Sequence, residues 1–264
     1  MKLYILTENM AGGKFLAEHG LSYLVELNGE KVLFDTGNSD VFFRNALNLG
    51  MDLQKESKKV ILSHGHWDHG NGLKYLNNKD LICHPGAFIK RFRRDDNENI
   101  GLELTEKELN KKFNLIKSDK PYEISKNFYF LGEIPRLNDF ESQSTYFVTE
   151  EGKNDFVPDD SALAIVQNNK LYVISACSHA GICNIVDYAI KVTGVDDVSL
   201  VIGGFHLKQQ NEQALKTVNY LNQFKNLQLY PSHCTELPAL ALFYEHFKIK
   251  QVRTGMILKL DNAN

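Results

Sequence analysis

Three histidines and one aspartate lie close together in one short segment of the chain, at His64, His66, Asp68 and His69. They directly follow the apolar run 60–62, and glycines flank them. Imidazole suits zinc, iron and other first-row metals, and an added carboxylate suits two ions that share a water. On an extended and then turning backbone, His64 and His66 can share one metal, and Asp68 and His69 can reach a second. A histidine tract that binds metal adventitiously would not need a strand before it and a glycine turn after it. The spacing therefore predicts a binuclear metal site.

The elements around this segment alternate between strands and helices. Residues 25–35 form two alternating apolar patterns joined at Asn28 and Gly29, which predicts a β-hairpin. Helical apolar spacing over 41–49 ends at a glycine, and strands are predicted at 59–63 and 81–84. This alternation predicts an α/β layer structure whose loops gather at one end of the sheet.

Residues 88–125 differ in composition from the segments before them, because they are rich in Lys, Asn, Asp and Glu. One helix is expected within them at 105–113, where Thr105 is the N-cap and Glu108 follows three residues later. We interpret the segment as a lid-like insertion. The basic run 90–94 is expected to be a solvated helix face, since acidic residues immediately offset its charge.

The second half of the chain contains three apolar strand patterns, at 171–175, 198–202 and 227–230, and Asn168 and Asn169 predict a hairpin turn before the first of them. Each is followed by a histidine, and these are His179, His206 and His233. A folded α/β sheet brings the ends of its strands together whatever their separation in sequence. Two metals need more ligands than the first loop supplies, so His179 and His233 are expected to complete the site.

The chain resembles the metallo-β-lactamase superfamily, whose His-x-His-x-Asp-His signature stands here at residues 64–69. The resemblance covers nearly the whole chain, including the turn at 34–37, which in that superfamily supports the metal loop from behind. It implies an αββα sandwich, expected as a single domain over residues 1–264. By the same resemblance His64 and His66 would hold the first metal, and Asp68, His69 and His233 the second.

Five further motifs resemble a narrower branch of that superfamily, the dihydropteroate-synthase-like branch. They lie at 132–136, 158–160, 177–182, 203–207 and 232–235. The branch is named after an archaeal enzyme of methanopterin biosynthesis that joins a dihydropterin to a ribofuranosyl-aminobenzene phosphate. The branch label is a family name and not a proven activity of every member, so the resemblance makes a pterin-related substrate one candidate among small phosphorylated or ester-type molecules.

The sequence departs from glyoxalase II-like members of the superfamily at two ligand positions. Where they carry a histidine before the hairpin and a bridging aspartate, this chain has Asp160 and Cys177. Either Asp160 or His179 can supply the third ligand, and we favour His179 because imidazole is the better zinc ligand. Cys177 could bridge as a thiolate or be a small buried residue. His206 resembles a non-ligand histidine of ribonuclease Z-type members, which implies an acid/base or phosphate-contacting role. Arg136 could clamp a substrate anion or form a structural ion pair.

Composition limits the class of partner and the compartment. The chain has 264 residues, 43% of them hydrophobic, and a net charge of −3, which gives no reason to expect a nucleic-acid partner. Its four cysteines have no framework spacing, and neither a signal peptide nor a bilayer-spanning run is expected. These features favour a cytoplasmic protein with reduced thiols and a small-molecule substrate, not a membrane protein. The oligomeric state stays open.

The expected activity is that of a hydrolase or transferase that uses two divalent metal ions and acts on a small phosphorylated or ester-type molecule. Zinc is the expected metal, and the same ligands also suit manganese or iron. Asp68 would orient a water molecule, and His206 would protonate a leaving oxygen. Two alternatives are a metal-binding sensor without catalysis and a nuclease or phosphodiesterase. An open coordination position beside a pocket favours an enzyme over a closed structural site.

Overall fold

The structure, a computed structural model, describes residues 1–260; the domain expected over 1–264 extends beyond it at residues 261–264. The strands within the described range are β1 (Lys2–Thr7), β2 (Ser22–Leu27), β3 (Glu30–Phe34), β4 (Lys59–Leu62), β5 (Asp80–Cys83), β6 (Arg91–Arg93), β7 (Asn114–Lys117), β8 (Tyr122–Ser125), β9 (Phe128–Phe130), β10 (Phe147–Thr149), β11 (Ala162–Gln167), β12 (Lys170–Ser175), β13 (Val198–Gly204), β14 (Gln228–Ser232) and β15 (Ile257–Lys259). The α-helices are α1 (Val41–Asn48), α2 (Leu53–Glu56), α3 (Trp67–Gly70), α4 (Glu106–Lys112), α5 (Ile182–Thr193), α6 (Glu212–Leu221) and α7 (Leu237–Phe247). In the described range no helix combines the length and apolarity that crossing a bilayer requires.

The chain forms two compact units, and neither is continuous in sequence. Unit 1 consists of Met1–Lys90, Asn99–Lys117 and the residues from Val252 onward. Unit 2 consists of Arg91–Glu98 and Ser118–Gln251.

Unit 1 contains a seven-stranded sheet in the order β15-β1-β2-β3-β4-β5-β7. Strands β3, β4, β5 and β7 are parallel, so the loops after β3 and β4 leave the same edge of the sheet. The turn between β2 and β3 has φ of 51° at Asn28 and 84° at Gly29, and the predicted hairpin is confirmed. One face of the sheet packs against α1, where Phe42 and Ala46 join the core.

Unit 2 contains a six-stranded sheet in the order β14-β13-β12-β11-β9-β8 and a two-stranded sheet of β10 and β6. Strands β12, β13 and β14 are parallel neighbours, so the segments that follow them begin at one edge. The predicted hairpin at Asn168 and Asn169 joins β11 to β12. Helices α5, α6 and α7 contribute buried side chains such as Ile185, Val218 and Phe243 to the core on one face of the larger sheet.

The segment 88–125, expected as a lid-like insertion, is built into the sheets. It supplies β6, α4, β7 and β8, and β7 pairs with β5 as an edge strand of unit 1. Every side chain of β7 is exposed or half-buried, which explains why its sequence looked like part of an insertion. The predicted helix is confirmed with its Thr105–Glu108 capping box. The expected helix face at 90–94 is wrong, because residues 91–93 are strand β6 and Arg91 is fully buried.

Candidate functional site

The loop that follows β4 in unit 1 carries four of the predicted ligands. After Ser63, the chain bends at His64 and Gly65 and reaches His66, the extended N-cap residue of the one-turn helix α3. Asp68 and His69 lie within that helix. His64 and His69 are fully buried, and His66 and Asp68 are 5% and 7% exposed. The loop requires Gly65, because a Cβ atom there would lie 1.8 Å from the backbone oxygen of Ala87.

The side chains of these four residues converge. His64 Nε2 lies 3.0 Å from His66 Nδ1, and the rings of His64 and His69 have centroids 4.3 Å apart. His69 Nε2 lies 3.6 Å from Asp68 Oδ2. His19, which the sequence did not single out, also approaches Asp68, with Nε2 3.3 Å from Oδ2. The four predicted ligands thus form a buried cluster of imidazoles and a carboxylate, and the exposed His19 lies at its edge.

Asp35 orients this cluster from the end of the neighbouring strand β3. Its backbone is left-handed, with φ of 56°, and its side chain is fully buried. The carboxylate accepts hydrogen bonds from Ser63 N and Ser63 Oγ, each at 2.7 Å, and lies 2.8 Å from His69 Nδ1. Ser63 Oγ in turn lies 2.9 Å from His64 Nδ1. With the two Nδ1 atoms engaged, the Nε2 atoms of His64 and His69 face the cluster, which is how second-shell carboxylates orient histidine ligands. The turn at 34–37 supports the loop as the resemblance implied.

In unit 2, His179, His206 and His233 follow the adjacent parallel strands β12, β13 and β14. The rings of His179 and His206 have centroids 4.6 Å apart. Three residues in these segments have a left-handed backbone, with φ of 56° at Ser178, 51° at His206 and 51° at His233. Such conformations cost about 1–3 kcal/mol each in residues other than glycine, and they concentrate at functional sites.

A second group of donors lies in unit 2 at the end of the same sheet. One ligand atom each from Cys177, His233 and Cys234 lies within 4.8 Å of the other two. Cys177 was considered from the sequence as a possible thiolate ligand, whereas Cys234 was not. The sequence signals for Cys234 are that it directly follows a strand-end histidine and that it lies within the motif at 232–235.

Asp160 and Glu141 hold the segment that carries His179. Asp160 Oδ2 accepts a hydrogen bond of 2.8 Å from Ala180 N. The Glu141 carboxylate accepts from the first turn of α5, at Cys183 N and Asn184 N, both at 3.0 Å. Burial raises the pKa of Glu141 from its ordinary value of 4.5, against the opposing effect of these hydrogen bonds. Because Asp160 holds the backbone beside His179, the structure gives it a positioning role.

Arg136 binds groups of its own unit. Its Nε donates to Ser142 Oγ at 3.0 Å, and its Nη2 donates to the carbonyl oxygens of Phe156 at 2.6 Å and Val157 at 3.1 Å. These hydrogen bonds to neutral groups tie Arg136 to other segments of unit 2, and the substrate clamp stays a prediction.

A cavity of about 250 Å³ lies beside His179 and His206 in unit 2. Its wall is largely polar and includes Ser144, Thr145, Tyr146, Lys208, Gln209 and Asn211. The Phe147 ring packs against both imidazoles, and its centroid lies 5.5 Å from that of His179 and 6.5 Å from that of His206. The two histidines are half-buried, so the cavity gives a small polar molecule access to them.

The chemistry of both donor groups fits divalent transition metals. Unit 1 offers imidazole nitrogens with an adjacent carboxylate, and unit 2 offers imidazole nitrogens with thiols. Both are donor sets that zinc accepts, and the first also suits manganese and iron.

This fold and its donor-rich strand ends define a class of protein: the chain belongs to the metallo-β-lactamase superfamily. The family model described as "Metallo-beta-lactamase superfamily" matches residues 17–80. The expected fold class is confirmed, since the structure is a mixed α/β fold that matches solved members of this superfamily.

Three relatives locate the chain more closely within the superfamily. It is 33% identical to a 7,8-dihydropterin-6-methyl-4-(beta-D-ribofuranosyl)-aminobenzene-5'-phosphate synthase of Methanocaldococcus jannaschii, over 98% of this chain and 96% of that protein. It is 36% identical to the uncharacterized protein MJ0448 of the same organism, over 89% and 91% of the two chains. A solved structure described as Tm1679, a metal-dependent hydrolase of the β-lactamase superfamily, matches with a TM-score of 0.86 and 30% identity, over 99% of this chain and all of that one. The predicted resemblance to the synthase-containing branch is confirmed.

Proposed function

We propose that the protein is a metal-dependent enzyme that acts on a small phosphorylated or ester-type substrate. The observation that carries the proposal is the buried cluster of unit 1, in which Asp35 fixes His69 Nδ1 at 2.8 Å. Buried polar side chains are costly unless they are paired or coordinate a metal, and a cluster rich in imidazole is a metal donor set. The 33% sequence identity to a synthase, over nearly the full length of both chains, supports the proposal that this protein is an enzyme.

The proposed centre is binuclear, and its metals are two divalent ions, with zinc the expected species. The proposed ligands are His64, His66, Asp68, His69, His179 and His233. Bound divalent cations supply Lewis acidity and neutralise negative charge that develops on a reacting oxygen.

Two residues are proposed to act on the substrate as well. Asp68, whose carboxylate lies beside His69 Nε2, accepts a hydrogen bond from the attacking water or hydroxyl group and orients it. His206, which lines the cavity, donates a proton to the leaving oxygen, a step typically worth about 10²–10⁴-fold in rate. Lys208 lines the same cavity, and its ammonium group is suited to a substrate phosphate.

The proposal includes the cellular setting of the enzyme. All four cysteines lie within the described residues, where none of them forms a disulfide, and this supports a reducing, cytoplasmic compartment. The mild net negative charge of −3 supports a small-molecule substrate over a nucleic acid.

Elemental analysis combined with a substrate screen tests the function. The screen uses phosphodiesters, thioesters, lactones and pterin pyrophosphates, and turnover of one class alone separates a hydrolase from a pterin synthase-like transferase. Full turnover by protein stripped of metal with a chelator would contradict the proposal. Metal binding without turnover of any class would instead support a sensor.

Variants of the cluster assign the effect to the proposed ligands. His66→Ala and Asp68→Asn are expected to lose bound metal and activity together. His246→Ala, which alters an exposed histidine of α7, is the matched control and is expected to retain both. Loss of metal from His66→Ala with full turnover retained would show that the reaction does not use the metal.

A further inference from the structure

Two cysteines of unit 2 lie close together although they follow strands on opposite sides of β13. Cys177 follows β12, Cys234 follows β14, and β13 lies between those strands. Strand β13 ends at Gly204, where a Cβ atom would lie 2.5 Å from Cys234 Sγ and 3.4 Å from Cys177 Cα. The missing side chain at Gly204 leaves the space that the Cys234 sulfur occupies. Cys234 Sγ also lies 3.5 Å from the backbone oxygen of Cys177.

His233 joins the two thiols at this position. The two Sγ atoms and one imidazole nitrogen lie within 4.8 Å of one another. Two sulfurs held about 2.3 Å from a tetrahedral zinc ion stand about 3.8 Å apart, so the three donors are within about 1 Å of a ligating arrangement. His233 is held in the left-handed region with φ of 51°, a conformation that sets the direction of its side chain at a cost in stability.

The surroundings of Cys177 and Cys234 differ from those of an ordinary buried cysteine. Cys183 is a buried cysteine of the same unit, but it packs in α5, where burial strongly raises the pKa of its thiol and so disfavours the thiolate that a metal needs. Cys177, which is buried, and Cys234, which is half-buried, instead lie beside the His233 imidazole at the edge of the sheet where functional side chains gather.

We propose that Cys177 and Cys234 ligate a metal ion together with His233, and that they make the protein selective for thiophilic divalent cations such as zinc. The inference rests on the proposed function, because His233 belongs to the ligand set given there. Each thiol that binds the cation releases its proton to solvent. Thiolate donors select zinc over manganese and magnesium, which prefer carboxylate and water oxygens.

Cobalt(II) substitution tests the inference with a spectroscopic readout that is independent of activity. The full-length protein is reduced with a phosphine, stripped with a chelator and loaded with Co²⁺. Sulfur ligation gives a thiolate-to-cobalt charge-transfer absorption in the near ultraviolet, beside the visible bands of any tetrahedral cobalt site. We expect the wild type to show the charge-transfer band, the single variants Cys177→Ser and Cys234→Ser to lose part of it, and the double variant to lose all of it.

Cys183→Ala is the matched control, since it removes a buried thiol of unit 2 that lies outside the group, and its charge-transfer band is expected to match the wild type. A competition between Zn²⁺ and Mn²⁺ gives a second measurement on the same proteins. We expect the preference for zinc to fall roughly 10- to 100-fold in the double serine variant, the range that changes around metal ligands typically produce.

The outcomes separate this inference from the proposed function. Visible cobalt bands without a charge-transfer band, or a band unchanged in the double serine variant, would overturn the sulfur ligands and leave a metal enzyme with nitrogen and oxygen ligands. Failure of the wild type to bind Co²⁺ or Zn²⁺ would overturn both. A charge-transfer band that depends on both cysteines, with a lowered zinc preference in their absence, supports the inference.

Discussion

Replacing Arg91 with methionine is expected to destabilise the protein strongly, because this arginine is buried in unit 2 together with two carboxylates. Its Nη2 lies 2.7 Å from Asp159 Oδ1 and its Nη1 lies 3.2 Å from Asp159 Oδ2, while its Nε lies 3.1 Å from Asp155 Oδ2. The side chains of Arg91 and Asp159 are fully buried, and that of Asp155 is 1% exposed. Arg91→Met leaves two carboxylates buried without their cation.

The size of the effect follows from this burial. Removing one partner of a buried ion pair costs about 3–5 kcal/mol, because the remaining charge is left uncompensated in a medium of low polarity. Arg93 provides a matched control on the same strand, β6. It also pairs with two carboxylates, Asp96 and Glu98, but its side chain is 44% exposed and theirs are 51% and 57% exposed. An exposed pair contributes about 0–1 kcal/mol, so Arg93→Met is expected to be nearly neutral.

Guanidinium unfolding followed by far-ultraviolet circular dichroism measures the two variants. We expect Arg91→Met to lose at least about 2 kcal/mol more than Arg93→Met, which corresponds to a factor of roughly 30 in the unfolding equilibrium. Adding Asp159→Asn to Arg91→Met is expected to recover part of the loss, because it removes one stranded charge. Equal effects of the two arginine variants, or a further loss on adding Asp159→Asn, would refute the reasoning.

Three other substitutions have predictable effects on stability. Gly203→Ala is expected to destabilise the protein far more than Gly50→Ala. Both glycines have positive φ, but only at position 203 would the new Cβ lie 2.0 Å from the Ser175 backbone oxygen. Thermal unfolding compares the two variants, and equal losses of stability would contradict the steric argument. In denaturant unfolding, His206→Gly is expected to be about 1 kcal/mol more stable than His206→Ala, because glycine adopts the left-handed φ of 51° without strain. A more stable alanine variant would exclude strain at this position. Burial raises the pKa of Glu141, so the stability that this raised pKa contributes is present below the unfolded value of 4.5 and is lost as pH rises through the folded pKa. The unfolding free energy of the wild type minus that of Glu141→Gln should therefore increase as pH falls. A decrease would show that the hydrogen bonds to the carboxylate outweigh its burial.

Much of the fold could be predicted because local signals agreed with the tertiary structure. The hairpin turns at Asn28 and Asn168, the capping box at Thr105 and the apolar strands before each histidine all lie where the patterns indicated. Helix α7 was missed, because its apolar residues do not form a sharp stripe and a proline stands at its start. Strand β15 was missed because it is only three residues long and pairs with β1 from the far end of the chain.

The candidate site was predictable where its residues share one loop or follow successive parallel strands. Spacing alone predicted the cluster from His64 to His69, and the strand order of unit 2 brings His179 beside His206 as expected. His19 and Cys234 were not predicted as contributors. Each is a single residue whose approach to Asp68 or Cys177 depends on packing between segments distant in sequence. Arg91 was misread for the same reason, since only the tertiary structure places Asp155 and Asp159 around it.

Each of the two units is built from separate stretches of the chain, and this determines the order in which they can fold during synthesis. Unit 1 takes its β15 strand from beyond Val252, and the hydrogen bond from Thr254 Oγ1 to the Glu8 backbone oxygen spans 246 residues. Closing so long a loop is slow, and until β15 arrives one edge of β1 can pair with another chain. During synthesis, unit 1 therefore completes its sheet only after all of unit 2 has been translated. A fragment that ends before Val252 would leave β1 as an open edge, a template for aggregation.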